Sequence, residues 1–153
     1  MIKERLEKFF RHVQFVDVAT CNKQCRPNNA PKYILKVEGD KIYIADYVLG
    51  ATWNNLKENP LVSLTAVDND SLIGYQFNGE AVLLEKGREY DELKEEFQVK
   101  KVKSSVERII KSVREEKPHH SFELVFPDRT GIIVVQIREI VDIGPTGQVL
   151  RER

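Results

Sequence analysis

The sequence predicts a mainly β (α+β) fold: six to seven antiparallel strands with peripheral helices. Short runs rich in β-branched and aromatic residues are separated by clusters of Gly, Asn, Asp and Pro, the pattern of strands and turns. Helical periodicity is confined to three stretches, so strands do not alternate with helices as a parallel βαβ sheet requires. Several strand-like runs are apolar on both faces, which calls for a second layer or a partner subunit. Such strands close into a barrel or stack as a sandwich.

A length of 153 residues suits one domain over 1–153 with a single core. A hydrophobic fraction of 41% with 31% charged residues excludes both a disordered chain and an apolar membrane span. The 24 Lys and Arg balance the 24 Asp and Glu, so the basic excess that nucleic-acid binding uses is absent. Neither nucleic acid nor membrane is expected as a partner. Met1 to Glu7 is charged from its third residue and carries no apolar leader, so a cytoplasmic location is expected. Cys21 and Cys25 are spaced C-x3-C, unlike a redox C-x-x-C or a zinc ribbon. They read as two reduced thiols, and no metal site is expected, since His119 and His120 lack the further ligands zinc takes.

Ile2, Leu6, Phe9, Phe10 and Val13 recur at helical spacing opposite Lys3, Glu4, Glu7, Lys8 and Arg11, predicting an amphipathic opening helix. Phe15 to Thr20 reads as a strand that stops at Asn22-Lys23-Gln24. Tyr33 to Glu38 and Ile42 to Ala45 form a hairpin around Gly39-Asp40. Thr52 to Asn59 reads as a short helix, capped by Thr52 and ended by Pro60. Leu61 to Val67 and Ile73 to Leu84 flank the turn-forming Asp68-Asn69-Asp70-Ser71.

From Arg88 to Glu116 the apolar residues are helical, but Tyr90, Leu93 and Phe97 share one face while Val102, Val106, Ile109, Ile110 and Val113 share another. The phase slips between Gln98 and Lys103, which predicts a bent or broken helix. Phe122 to Phe126 and Ile132 to Val141, around Pro127-Asp128-Arg129-Thr130-Gly131, predict a closing hairpin.

Two segments carry a resemblance. Arg26-Pro27-Asn28-Asn29-Ala30-Pro31 leads into the second strand, and Thr52-Trp53-Asn54-Asn55-Leu56-Lys57-Glu58-Asn59-Pro60 follows the third. With Gly79-Glu80-Ala81 on a later strand, they resemble the R-P-x-x-x-P, K-T-x-x-N-L-x-x-N-P and G-x-A segments of the pyridoxamine 5′-phosphate oxidase-like FMN-binding split barrels, over roughly residues 10 to 90. The resemblance implies a split β-barrel, a homodimer, FMN as cofactor and an FMN-dependent oxidoreductase using a small-molecule substrate or electron donor. It does not imply the pyridoxamine phosphate oxidase reaction itself, because Gly144 to Leu150 lacks the arginine-bearing substrate segment expected there. A non-catalytic FMN-binding or electron-transfer protein, and a flavin-free dimeric binding module, are the alternatives.

The same resemblance places the cofactor. Gly50, Ala51 and Thr52 are expected to cradle the FMN phosphate at a helix start, whose free N–H groups favour an anion. Many relatives place a lysine where this chain has Ala51, so Arg26 or Lys32 is expected to supply the missing cation, if these are not simply solvated strand-end charges. The flavin ring is expected against Asn28, Asn29, Ala30 and Pro31, although the two asparagines also suit a turn. No catalytic acid or base stands out. Trp53 and Tyr47 suit packing better than flavin stacking.

Overall fold

The computed structural model describes residues 2–115, 129–144 and 150–152. In chain order these form α1 (Ile2–Phe9), β1 (Phe15–Cys21), β2 (Pro27–Glu38), β3 (Lys41–Asp46), α2 (Ala51–Glu58), β4 (Leu61–Asp68), β5 (Ile73–Leu84), α3 (Arg88–Arg114), β6 (Gly131–Asp142) and β7 (Leu150–Glu152). The strands run β3-β2-β1-β4-β5-β6 and the ring closes where β3 pairs antiparallel with β6, while β7 adds to the far end of β6. The result is a six-stranded antiparallel closed barrel with few helices. Gly39, in the left-handed region at φ 65°, turns β2 into β3.

Alternation fills the barrel. On β1 the inward residues Val16 and Val18 are buried between exposed neighbours, and Ile34, Ile42, Ile44, Leu64, Phe77 and Val135 join them in one core. Leu6 and Phe9 of α1 and Trp53 and Leu56 of α2 belong to the same core. A second cluster lies on the other face of β2, β3 and β6: Leu35, Tyr43, Ala45 and Ile132 pack against Leu93 and Phe97 of α3. This explains why those strands are apolar on both faces. Burying a side chain such as Leu93 or Phe97 stabilises by about 1.5–3 kcal/mol.

Of the bent or broken helix that the phase slip predicts, the break is absent: α3 is one uninterrupted element. The slip is met by a change of environment: Leu93 and Phe97 bury, whereas Val99, Val102, Val106, Ile110 and Val113 remain exposed. The second arm of the expected closing hairpin, Ile132 to Val141, is found in β6. Both edges of β6 from Ile132 to Gln136 are taken, by β3 and β5, and the proposed first arm, Phe122 to Phe126, lies outside the described residues.

Candidate functional site

From Pro27 onward the R-P segment is strand, with Arg26 at the end of the turn before it. Thr20, Ala19, Val18 and Asp17 of β1 pair with Asn28, Asn29, Ala30 and Pro31 of β2. The turn before it is tied by Asn22, whose Oδ1 accepts the N–H groups of Gln24 (3.0 Å) and Arg26 (2.9 Å), with Cys25 at φ 60°. Ile34 N–H donates to Gln14 O, so even-numbered backbone groups of β2 point to β1 and odd-numbered groups point away. Pro27 and Pro31 are both odd, so their missing N–H groups interrupt no ladder bond. β3 pairs with β2 only from Tyr33 onward, which leaves the N–H and C=O of Asn29 on an edge with no strand beside it among the described residues. The side chains alternate too: Asn28 and Ala30 lie half-buried, while Asn29 and Pro31 are exposed on the other face.

Helix α2 meets this strand end. Its N-cap is Gly50, with no side-chain cap; the expected cap, Thr52, is two residues inside the helix and buried. There its hydroxyl accepts from Asn28 Nδ2 at 3.0 Å, joining the start of β2 to the start of α2. Asn55 Nδ2 donates to Thr20 Oγ1 (3.1 Å), and Asn59, the C-cap, donates to the carbonyl of Cys21 (3.3 Å). Between the two elements lies a groove of about 450 Å3, lined by Asn22, Arg26, Pro27 and Asn28 on one side and Ala51, Asn54, Asn55 and Glu58 on the other.

The structure therefore brings together Arg26, Asn28, Ala51 and, beneath them, Thr52, with Gly50 at the helix start. It does not bring Lys32. That side chain is buried and its Nζ donates to Asp46 Oδ1 at 2.7 Å, so Lys32 is an internal ion pair and not a groove cation. Arg26 is exposed at the groove. The groove also contains residues the sequence reading passed over: Asn54, Asn55 and Glu58 follow Ala51 at helical spacing, opposite the buried Thr52, Trp53 and Leu56. Asp46, a single acid ending an apolar strand, was visible only as that irregularity.

Trp53 is core: it is 2% exposed and its ring lies against Gly131, where an added Cβ would sit 2.4 Å from Cζ3. Tyr47 is partly exposed, with the Lys101 ammonium 5.1 Å from its ring centroid; burial holds the Lys101 pKa below its usual value. Cys21 and Cys25 are free thiols. Among the described residues no group of three or more His, Cys, Asp or Glu could hold a metal, and His119 and His120 lie outside them. A wider, mostly apolar cleft of about 650 Å3 is lined by residues of β1, β4, β5 and β6, with Leu61 exposed in it.

A family model described as pyridoxamine 5′-phosphate oxidase matches residues 2–130. The chain belongs to the pyridoxamine 5′-phosphate oxidase family. Solved structures agree on the fold of this family member. HupZ of Group A Streptococcus superimposes with a TM-score of 0.63 at 20% identity, covering 95% of this chain and 96% of that one. A general stress protein 26-related protein of the pyridoxinephosphate oxidase family from Clostridium acetobutylicum gives 0.64 at 13% identity, covering 99% and 94%. An FMN-binding protein from Syntrophomonas wolfei gives 0.64 at 18%, covering 94% and 86%. No curated protein matches the chain. No helix among the described residues is long and apolar enough to cross a membrane.

Proposed function

We propose that this chain binds FMN in the groove between β2 and α2, works as a homodimer, and acts as an oxidoreductase on a small-molecule substrate or electron donor. The observation that carries this is the Asn28–Thr52 hydrogen bond, which joins β2 to α2 beside a groove lined by an exposed arginine, a row of amide side chains and Ala51, the first residue of α2. The donor set fits a flavin mononucleotide. The first N–H groups of α2 have no intrahelical acceptor and favour a phosphate. Arg26 supplies the cation that Ala51 does not. The side-chain amides of Asn28, Asn54 and Asn55, which line the groove, suit the donor and acceptor pattern of the flavin ring, and the open-edge N–H and C=O of Asn29 lie on the strand beside it. FMN, when bound, supplies hydride or electron transfer, and this chain's residues bind it, orient it and exclude water.

Titration with FMN and with riboflavin tests the phosphate assignment. FMN is expected to bind roughly ten- to a hundredfold tighter. Arg26→Ala should weaken FMN about tenfold and leave riboflavin unchanged, and Ala51→Lys should tighten FMN alone. Equal affinity for both flavins would move the phosphate away from α2; binding of neither would remove the cofactor.

A second reading, FMN binding without substrate turnover, is favoured by one observation: the titratable groups lining the groove, among the described residues, are only Arg26 and Glu58. Reduction of the bound flavin by a nicotinamide donor followed by reoxidation with an acceptor separates the two.

The dimer is supported by Phe15, Leu61, Val67 and Val82, which are half or more exposed on the outer faces of β1, β4 and β5. Light scattering at low micromolar concentration should give twice the mass of one 17.7 kDa chain. A monomer there would refute it.

A further inference from the structure

The loop between β3 and α2 hangs on one buried carboxylate oxygen. Asp46 Oδ1 accepts from Lys32 Nζ (2.7 Å) and also from the backbone N–H groups of Val48 (3.1 Å) and Leu49 (3.2 Å). The two charged side chains are 0% and 7% exposed, so this is an ion pair inside the barrel end. Leu49 sits at φ 51°, a conformation that a non-glycine residue keeps only when its surroundings hold it. Gly50 follows as an N-cap without a side chain. Asp46 thus ties down the loop that leads into α2, whose N-cap contributes no side chain.

We propose that Asp46 is the positioning residue of the phosphate cradle at the start of α2, and that Lys32 is its buried counter-charge and not a phosphate ligand. This rests on the FMN reading given above. Asp46 Oδ2 is buried and, among the described residues, has no hydrogen-bond partner, so the carboxylate's bonds run through Oδ1, to Lys32 and the loop. A phosphate at α2 feels Asp46 through the backbone it shapes. The negative charge, which alone would repel a phosphate, is balanced within hydrogen-bond distance by Lys32.

Removing one partner alone would strand a buried charge and risk unfolding, so the test removes both charges at once. Lys32→Met with Asp46→Asn keeps an oxygen acceptor for Val48 and Leu49. Lys32→Met with Asp46→Leu removes it. Both proteins, and the wild type, are titrated with FMN and with riboflavin, and amide exchange is followed at Val48 and Leu49.

The Asn variant should keep the preference for FMN over riboflavin to within about threefold. In the Leu variant it should fall toward unity, with riboflavin affinity unchanged and exchange at Val48 and Leu49 faster by about tenfold or more. Loss of the preference in the Asn variant would make Lys32 a phosphate ligand and overturn the proposal. So would a preference retained in the Leu variant, or an equal loss of both flavins there, which marks a purely structural role. A wild type without preference defeats the phosphate reading itself, and the assignment of Asp46 to it falls as well.

Discussion

Trp53→Ala is expected to lower unfolding free energy by about 3–5 kcal/mol, a fall in Tm of roughly 10 °C or more. The indole is 2% exposed, in the core that α2 shares with the barrel, and its far ring edge occupies the space left by the absent side chain of Gly131. Truncation leaves a cavity beside Gly131, whose missing side chain cannot refill it. Trp53→Phe should be much milder. Trp53 Nε1 is buried with no hydrogen-bond partner among the described residues, so phenylalanine gives up volume while removing an unsatisfied donor. Denaturant unfolding measures both. A loss below about 1 kcal/mol for the alanine variant would mean that α2 is not seated by this side chain.

Gly79→Ala should destabilise by about 3 kcal/mol or more, because the clash is with backbone. A Cβ there would lie 2.2 Å from the carbonyl oxygen of Gln136 and 3.2 Å from Cα of Ile137, on the facing strand β6. The pairing of β5 with β6 shifts register at this point, between Asn78 and Gly79, and the strands approach too closely for any side chain. Gly74→Ala, on the same strand, is the control. Its Cβ would meet the Val67 side chain at 3.2 Å, and a shift of a few tenths of an ångström relieves it. Thermal unfolding should show a drop of several degrees or more for Gly79→Ala and little change for Gly74→Ala; similar drops for both would remove the special role of Gly79.

The strands were legible because alternation and turn chemistry are local. Gly39 turned where a glycine was needed, and Ile42 to Ala45, Leu61 to Val67 and Ile73 to Leu84 fall within β3, β4 and β5. Family membership rested on the order of three short segments, and the match over residues 2–130 agrees with it. What stayed hidden was decided by partners distant in sequence. Lys32 was read as a free cation because nothing local pairs it; its partner, Asp46, comes from the next strand. Thr52 was read as a cap because a hydroxyl preceding an apolar turn usually is one, whereas Asn28 draws it inward and leaves Gly50 as the cap. In α3 the phase slip predicts a bend or a break, yet helix propensity carries the backbone through unbroken when only one of two apolar faces meets the barrel.

Closure of the ring by β3 and β6 has a consequence for the protein during its synthesis. Lys41 pairs with Gln136 and Asp46 with Gly131, so the bonds that close the barrel join residues far apart along the chain. Until β6 is made, neither β3 nor β5 has the partner that it pairs with along that edge. Two open strand edges on one emerging chain are templates for pairing with another. Drawing shut so long a loop slows closure and prolongs the exposure of both edges.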